Sequence, residues 1–290
     1  MTVFAVTEPP EVRVDIQVGR VDIVATDRGD VVVTVSPSNP NRSGDWSTAD
    51  RVRIDRAGGA IRVSGPFRLN LFGSGDSVDV LVEVPVLTSA TVDVKYGSVN
   101  ASGYLDACRL NVPYGDITLE RATRLDLSVG HGDVRVGHVV GDAEIRLKSG
   151  SARIGHVDGT LRLDGANASV VIDSVGSAAD VATSSGAVEL GRTGGDVSVR
   201  SAYGVVRLAE LSRGSARIEG SYGGVDIGVR RGTAVWLDAV SQHGVVRTDL
   251  AAAEGPADDG ETLELHIRSG YGDITIHRST LPPPASTPPD

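Results

Sequence analysis

The sequence predicts an all-β, single-domain β-solenoid, parallel β-helix-like, of about ten 18-residue repeats with an irregular strand-rich N-terminal cap. Three observations predict it. A glycine recurs at nearly constant spacing, each repeat carries two short runs of alternating apolar residues, and no segment shows a convincing helical period.

The glycine column is the primary signal. It runs through Tyr96-Gly97-Ser98-Val99, Tyr114-Gly115-Asp116-Ile117, His131-Gly132-Asp133-Val134 and Ser149-Gly150-Ser151-Ala152. It continues at Gly186, Gly204, Gly223, Gly244 and Gly272, with Ala168 as the one exception. From position 97 the gaps are 18, 17, 18, 18, 18, 18, 19, 21 and 28. The last two are read as inserted loops, one of them Ala251 to Gly260. A tight corner that needs positive φ or close backbone approach selects glycine, so Ala168 predicts a different corner.

The strands follow from period-2 alternation. Ile117 and Leu119 are followed by Leu125 and Leu127; Val188 and Leu190 are followed by Val197 and Val199. Gly, Asp and Ser separate these runs, which is turn chemistry. About four inward apolar side chains per repeat cannot offset the ordering of 18 residues. Stacked neighbours must therefore supply the missing core and ladder.

Domain organisation is read from regularity. Residues 1–90 hold alternating segments at Val12–Ile16, Val31–Val35, Val52–Ile54, Ile61–Val63 and Val78–Val84, broken by loops at 37–49 and 66–77. They form the cap and first irregular layers. Gly19-Arg20-Val21-Asp22-Ile23 looks like an early copy of the repeat. Phe67, Leu69, Leu71 and Phe72 suit a cover for one end or a contact patch. Residues 91–279 are the regular body, and 280–290, with five prolines, a disordered or polyproline-like tail.

Composition bounds the partners. Net charge is −10 and pI about 5.1, so no basic nucleic-acid footprint is visible. No apolar run of membrane-spanning length occurs. No secretory leader is visible, which makes the cytoplasm the default expectation and leaves the cell surface open. The single cysteine, Cys108, sits among apolar neighbours as a small buried residue.

The repeat units, the opening Val18-Gly19-Arg20-Val21-Asp22-Ile23, the segment Ser77 to Pro85 and the closing Ser269-Gly270-Tyr271-Gly272-Asp273-Ile274-Thr275-Ile276 resemble a known family. It is the β-strand-repeat family of putative adhesins, domain of unknown function 4097. Val229 to Asp238 looks like its actinobacterial members. The resemblance spans nearly the whole chain. It implies a β-solenoid without assigned catalysis and supplies no functional residues.

In a stacked fold, equivalent residues form ladders. The position before the glycine holds Tyr96, Tyr114, His131, Ser149, Asn167, Ser185, Tyr203, Tyr222, His243 and Tyr271. Tyr96, Tyr114, His131, Tyr203, Tyr222, His243 and Tyr271 are the candidate interaction ladder, for a protein or glycan partner. The competing reading is that the rings stack on one another and stabilise the corner. Asp116 and Asp133, after the glycine, read as turn carboxylates rather than calcium ligands. His138 and His156, 18 apart, should stack, but a third metal ligand is not evident beyond nearby Asp158. Arg135, Arg153, Arg207 and Arg247 form a column broken by Val171, Glu189 and Asp226. No catalytic, cofactor or metal site is expected.

The leading expectation is a non-catalytic interaction scaffold, with self-association through solenoid ends open. One alternative is a cytoplasmic or envelope-stress-linked regulatory module. Another is a polysaccharide-active β-helix enzyme, which needs two carboxylates with separated pKa values; no apolar pocket near Asp116 and Asp133 is evident in the sequence.

Overall fold

The computed structural model describes residues 1–66, 76–250 and 261–282. In chain order the strands are β1 (Thr2–Ala5), β2 (Glu11–Thr26), β3 (Asp30–Pro37), then helix α1 (Ser43–Ala49), β4 (Arg53–Ala57), β5 (Ala60–Ser64) and β6 (Val78–Pro85). Four long strands follow: β7 (Ser89–Tyr114), β8 (Ile117–Val139), β9 (Ala143–Val157) and β10 (Leu161–Val175). Then come β11 (Ala179–Ser185), β12 (Val188–Thr193), β13 (Val197–Tyr203), β14 (Val206–Leu211), β15 (Gly214–Tyr222) and β16 (Val225–Val229). The last four are β17 (Ala234–Ser241), β18 (Val246–Thr248), β19 (Thr262–Tyr271) and β20 (Ile274–Arg278). Among the described residues the chain is all-β apart from α1, and these strands belong to one hydrogen-bonded sheet.

The repeat spacing reappears as register. Leu161 pairs in parallel with Ala143 on one side and Ala179 on the other, and Val188 with Val170 and Val206. Each layer thus contributes two strand segments meeting at the glycine corner. In one layer Ala143, Ile145, Leu147, Ala152, Ile154 and Val157 are all 0–3% exposed. That is more than the four inward residues expected, because each segment buries three: 143, 145 and 147 before the corner, and 152, 154 and 157 after it.

The corner glycines have φ from +118° to +155° at Gly19, Gly97, Gly115, Gly132, Gly150, Gly186, Gly204, Gly223 and Gly272. At Gly115 a Cβ would lie 1.5 Å from the Gly97 carbonyl oxygen. Ala168 is not among the positive-φ residues, so its corner differs as expected. Gly19 pairs with Gly97, which makes residues 11–26 a full layer.

Layer order departs from chain order at both ends. β2 lies between β7 and the later strands β5 and β6. At the other end β19 and β20 pair directly with β15 and β16, and β17 and β18 lie outside them. The gaps of 21 and 28 residues are therefore not loops in an unbroken series. Gly223 is followed in space by Gly272 (Tyr222 pairs with Tyr271), and Gly244 comes after it.

Antiparallel strands lie at the N-terminal side, where β1 and β4 each pair with one strand among the described residues. β3 pairs with β1 and β6, and β4 with β5. α1 falls within the first expected loop. Seven residues are too few to display a period. Its Asp45, 1% exposed, accepts the amides of Asn39 (3.0 Å) and Ser77 (3.1 Å), tying the helix to the chain on both sides. The patch at Phe67, Leu69, Leu71 and Phe72, the 251–260 insert and residues 283–290 of the tail lie outside the described residues. No helix among the described residues is long and apolar enough to cross a membrane.

Candidate functional site

Each ladder residue sits immediately before a corner glycine, where the strand turns outward and exposes the side chain. Parallel register then places equivalent rings one layer apart, about 4.8 Å. Tyr96 and Tyr114 stack at 4.9 Å with planes 9° apart, and Tyr114 and His131 at 5.3 Å and 14°. A second block runs Tyr203–Tyr222 (5.0 Å, 4°), Tyr222–Tyr271 (4.9 Å, 2°) and Tyr271–His243 (4.4 Å, 17°). The order in space is Tyr271 before His243, which corrects the order along the chain. Ser149, Asn167 and Ser185 separate the two blocks.

This geometry decides what the rings present. Inside a block each face is covered by the next ring, so edges and hydroxyls face solvent. Tyr203, at the start of its block beside Ser185, is 58% exposed, against 47% for Tyr222 and Tyr271. Face-on stacking of a sugar is thus confined to block ends.

A groove beside the second block was not foreseen. It holds about 970 Å³ and is flanked by Tyr222 and Tyr271. Its outward residues include Ala166, Ser184, Ala202, Ser221 and Gly270, with Arg146, Lys148, Arg200 and Arg268 alongside. The signal was present in the column three residues before the corner. That column reads Ile16, Val94, Val112, Val129 and Leu147, then changes to Gly165, Thr183, Ser201, Gly220 and Ser269. The hydroxyls of Thr183, Ser201 and Ser269 are buried without a hydrogen-bond partner.

The other candidates are held by structural bonds. Asp116 Oδ1 accepts the Asp133 amide at 2.8 Å, and Asp133 Oδ1 accepts the amide and hydroxyl of Ser151. Asp273 accepts the Val245 amide and pairs with Arg247 at 2.6 Å; these bonds lower its pKa. His138 and His156 are register partners in neighbouring layers, as expected, and their rings meet edge-on at 6.2 Å with planes 88° apart. His138 Nε2 contacts Asp158 at 2.8 Å, and His156 Nδ1 contacts Ser174 Oγ at 2.7 Å. Among the described residues no group of three or more His, Cys, Asp or Glu gathers for a metal. In the arginine column, Arg207 pairs with Glu189 at 2.8 Å. Cys108 is 3% exposed, and burial, with Asp106 adding to it, pushes its thiol up to about 12.

Sequence reasoning also missed the Asp15–Asp93 pair. These carboxylates are register partners in adjacent layers. Burial, then the Asp93 charge, raises the Asp15 pKa.

No family model matches the chain, and no curated protein matches it. Solved structures with adhesin names align along nearly its full length. A putative adhesin from Bacteroides fragilis is 10% identical, with 95% of each chain covered and a TM-score of 0.37. A putative cell adhesion protein from Clostridium sporogenes is 12% identical over 96% of this chain and 98% of that one, TM-score 0.23. A putative adhesin from Parabacteroides distasonis is 15% identical over 94% and 95%, TM-score 0.32. Likeness of that degree assigns no function to this chain.

Proposed function

We propose that the chain is a non-catalytic β-solenoid interaction scaffold that holds an extended protein or glycan segment against the Tyr203–Tyr222–Tyr271–His243 block. In this reading residues 1–90 form the cap and the first irregular layers, 91–279 the regular body and 280–290 the tail. The observation that carries it is the continuity of that block with the neighbouring groove. A row of phenol edges beside a trough of small residues suits a linear ligand lying across successive layers. Non-catalytic character is supported by the commitment of Asp116, Asp133 and Asp273 to backbone amides.

The test is a panel of polysaccharides and extended peptides, measured against the native chain and two variants. Tyr222→Phe with Tyr271→Phe keeps the stacked rings and removes two exposed hydroxyls. Ala202→Lys fills the groove. Binding that weakens at least tenfold in both, with an unchanged melting temperature, supports the site. Undiminished binding in both excludes it. Reproducible turnover of a polysaccharide, lost in Asp116→Asn, would replace the scaffold reading with an enzyme.

A further inference from the structure

The groove beside the second tyrosine block has a length, a charge state and a floor that discriminate between a peptide and a glycan. One side of it is a single outward column, running from Arg146 through Asp164, Ala182, Arg200, Glu219 and Arg268 to Val240, each the register partner of the next. At about 4.8 Å per layer that column makes a trough about 29 Å long.

Nearly every charge along the trough is already paired. Arg146 pairs with Asp126 at 3.2 Å and with Glu144, and Asp164 pairs with Arg162 at 3.3 Å. Arg200 pairs with Asp180 at 3.2 Å, Glu219 with Arg217 at 2.8 Å and Arg268 with Asp238 at 2.5 Å. Of the charged lining residues Lys148 alone, at one end, has no ion pair among the described residues. An ionic ligand would have to separate these pairs or compete with them. A hydroxyl both donates and accepts, while a paired guanidinium and carboxylate keep spare N–H groups and lone pairs. Sugar hydroxyls can therefore bond both halves of a pair and leave it intact.

The floor gives a peptide little to hold. Gly165, Thr183, Ser201 and Gly220 each pair with a layer on both sides. Their backbone is committed along the stack, so a peptide strand cannot be added there. Along the other side Ala166, Ser184, Ala202, Ser221 and Gly270 are all small and frame no recess for one side chain in preference to the next. Walls of constant height suit a polymer whose units are alike. Thr183, Ser201 and Ser269, also in the lining, are 4–6% exposed, and their hydroxyls have no hydrogen-bond partner. Such groups are normally satisfied, and bridging waters held by a hydroxylated ligand would complete them.

We propose that the groove takes a neutral, linear glycan lying along the stack, an inference that rests on the reading of this groove as the binding site. Its hydroxyls bond the Arg–carboxylate pairs of one side and the phenol edges of Tyr222 and Tyr271. One pyranose face packs on the open ring of Tyr203, which adjoins Ala202 and is 58% exposed.

The test is an array of glucans, mannans, xylans and galactans, with polygalacturonate and alginate as acidic probes and polyproline and Gly-Ser peptides as extended chains. Oligomers of each binder are then titrated into the full chain by calorimetry. The expected result is tightest binding in the neutral set, with an affinity that rises with oligomer length until the trough is filled. That affinity should change less than about twofold between about 0.1 M and about 1 M salt, where the screening length falls from about 10 Å to about 3 Å. It should weaken about tenfold or more in Ala202→Lys, and Ser184→Lys replaces that variant if its melting temperature falls. Acidic probes or peptides that bind as tightly as the neutral set, and are lost in the lysine variant, overturn the neutral glycan and leave the groove as the binding site. Glycan binding that the lysine variant leaves intact overturns both, and so does an array on which nothing binds.

Discussion

Gly115→Ala isolates the physics of the corner. Gly115 has φ +140°, and an added Cβ would lie 1.5 Å from the Gly97 carbonyl oxygen and 2.7 Å from its carbon. The obstacle is backbone, held by the layer below, so no side-chain rotation relieves it. The Gly115 amide itself donates to His131 O at 2.9 Å. Separating the layers locally loses two or so ladder bonds, each about 1 kcal/mol. The unfavourable φ adds about 1–3 kcal/mol. The expected cost is about 3–5 kcal/mol. Unfolding entropy near 2.1 cal/mol/K per residue over 290 residues makes that a fall of about 5–8 °C by calorimetry. Gly58→Ala is the control: φ is +60°, but an added Cβ meets nothing within 4 Å. It should cost only the left-handed penalty of about 1–2 kcal/mol. If the two variants melt together, close approach is not what selects glycine and the argument fails.

Three further outcomes are expected. Tyr222 stacks on both sides and Tyr96 on one, each aromatic contact being worth about 0.5–1.5 kcal/mol. Tyr222→Ala should thus lose about twice the stability of Tyr96→Ala in urea unfolding, and equal losses would show that the stacks contribute little. Asp15 binds its proton more tightly folded than unfolded, so it costs stability as pH climbs above the ordinary value of 3.8. Asp15→Asn should raise the melting temperature at pH 7, with the gain vanishing in acid; a gain independent of pH would refute the assignment. Glu210 is 4% exposed. Burial alone would raise its pKa, but bonds from Arg230, Ser279 and Arg192 outweigh burial and hold it below 4.5. Its stabilisation is present above that value and lost as pH falls through the lower folded one. Glu210→Gln should cost about 1–3 kcal/mol at neutral pH and less in acid, as followed by chemical denaturation across pH.

The 18-residue period was legible because it is written twice, once in the glycines and once in the alternation. Gly19 was legible for the same reason and proved to share the column with Gly97. Ring stacking in the two blocks followed from the column, whereas the edge-on meeting of His138 and His156 did not. Imidazole orientation is set by local partners, here Asp158 and Ser174, and these do not repeat. The groove escaped notice because it arises from a column of small residues, and such a column has no motif. Asp15 and Asp93 lie 78 positions apart, and only the insertion of β2 beside β7 brings them together.

The insertion at the other end, of β19 and β20 beneath β17 and β18, has a physical reason that composition supplies and periodicity does not. β19 and β20 bring Leu263, Leu265, Ile267, Ile274 and Ile276, all 0–1% exposed. β17 and β18 bring Val235, Leu237, Ala239 and Val246 to the same columns, a smaller apolar set. Both layers compete for the place between β15–β16 and the open end. Coverage on two sides is worth more to the larger set, since burial free energy scales with apolar area. The chain therefore spends its first pass on the outer layer and returns beneath it. A strictly sequential stack would leave five large aliphatic side chains half covered at its end. The observed order exposes the cheaper layer and ties it covalently to the layers beneath through both of its connections, which restrains fraying at the end where the ladder has one neighbour.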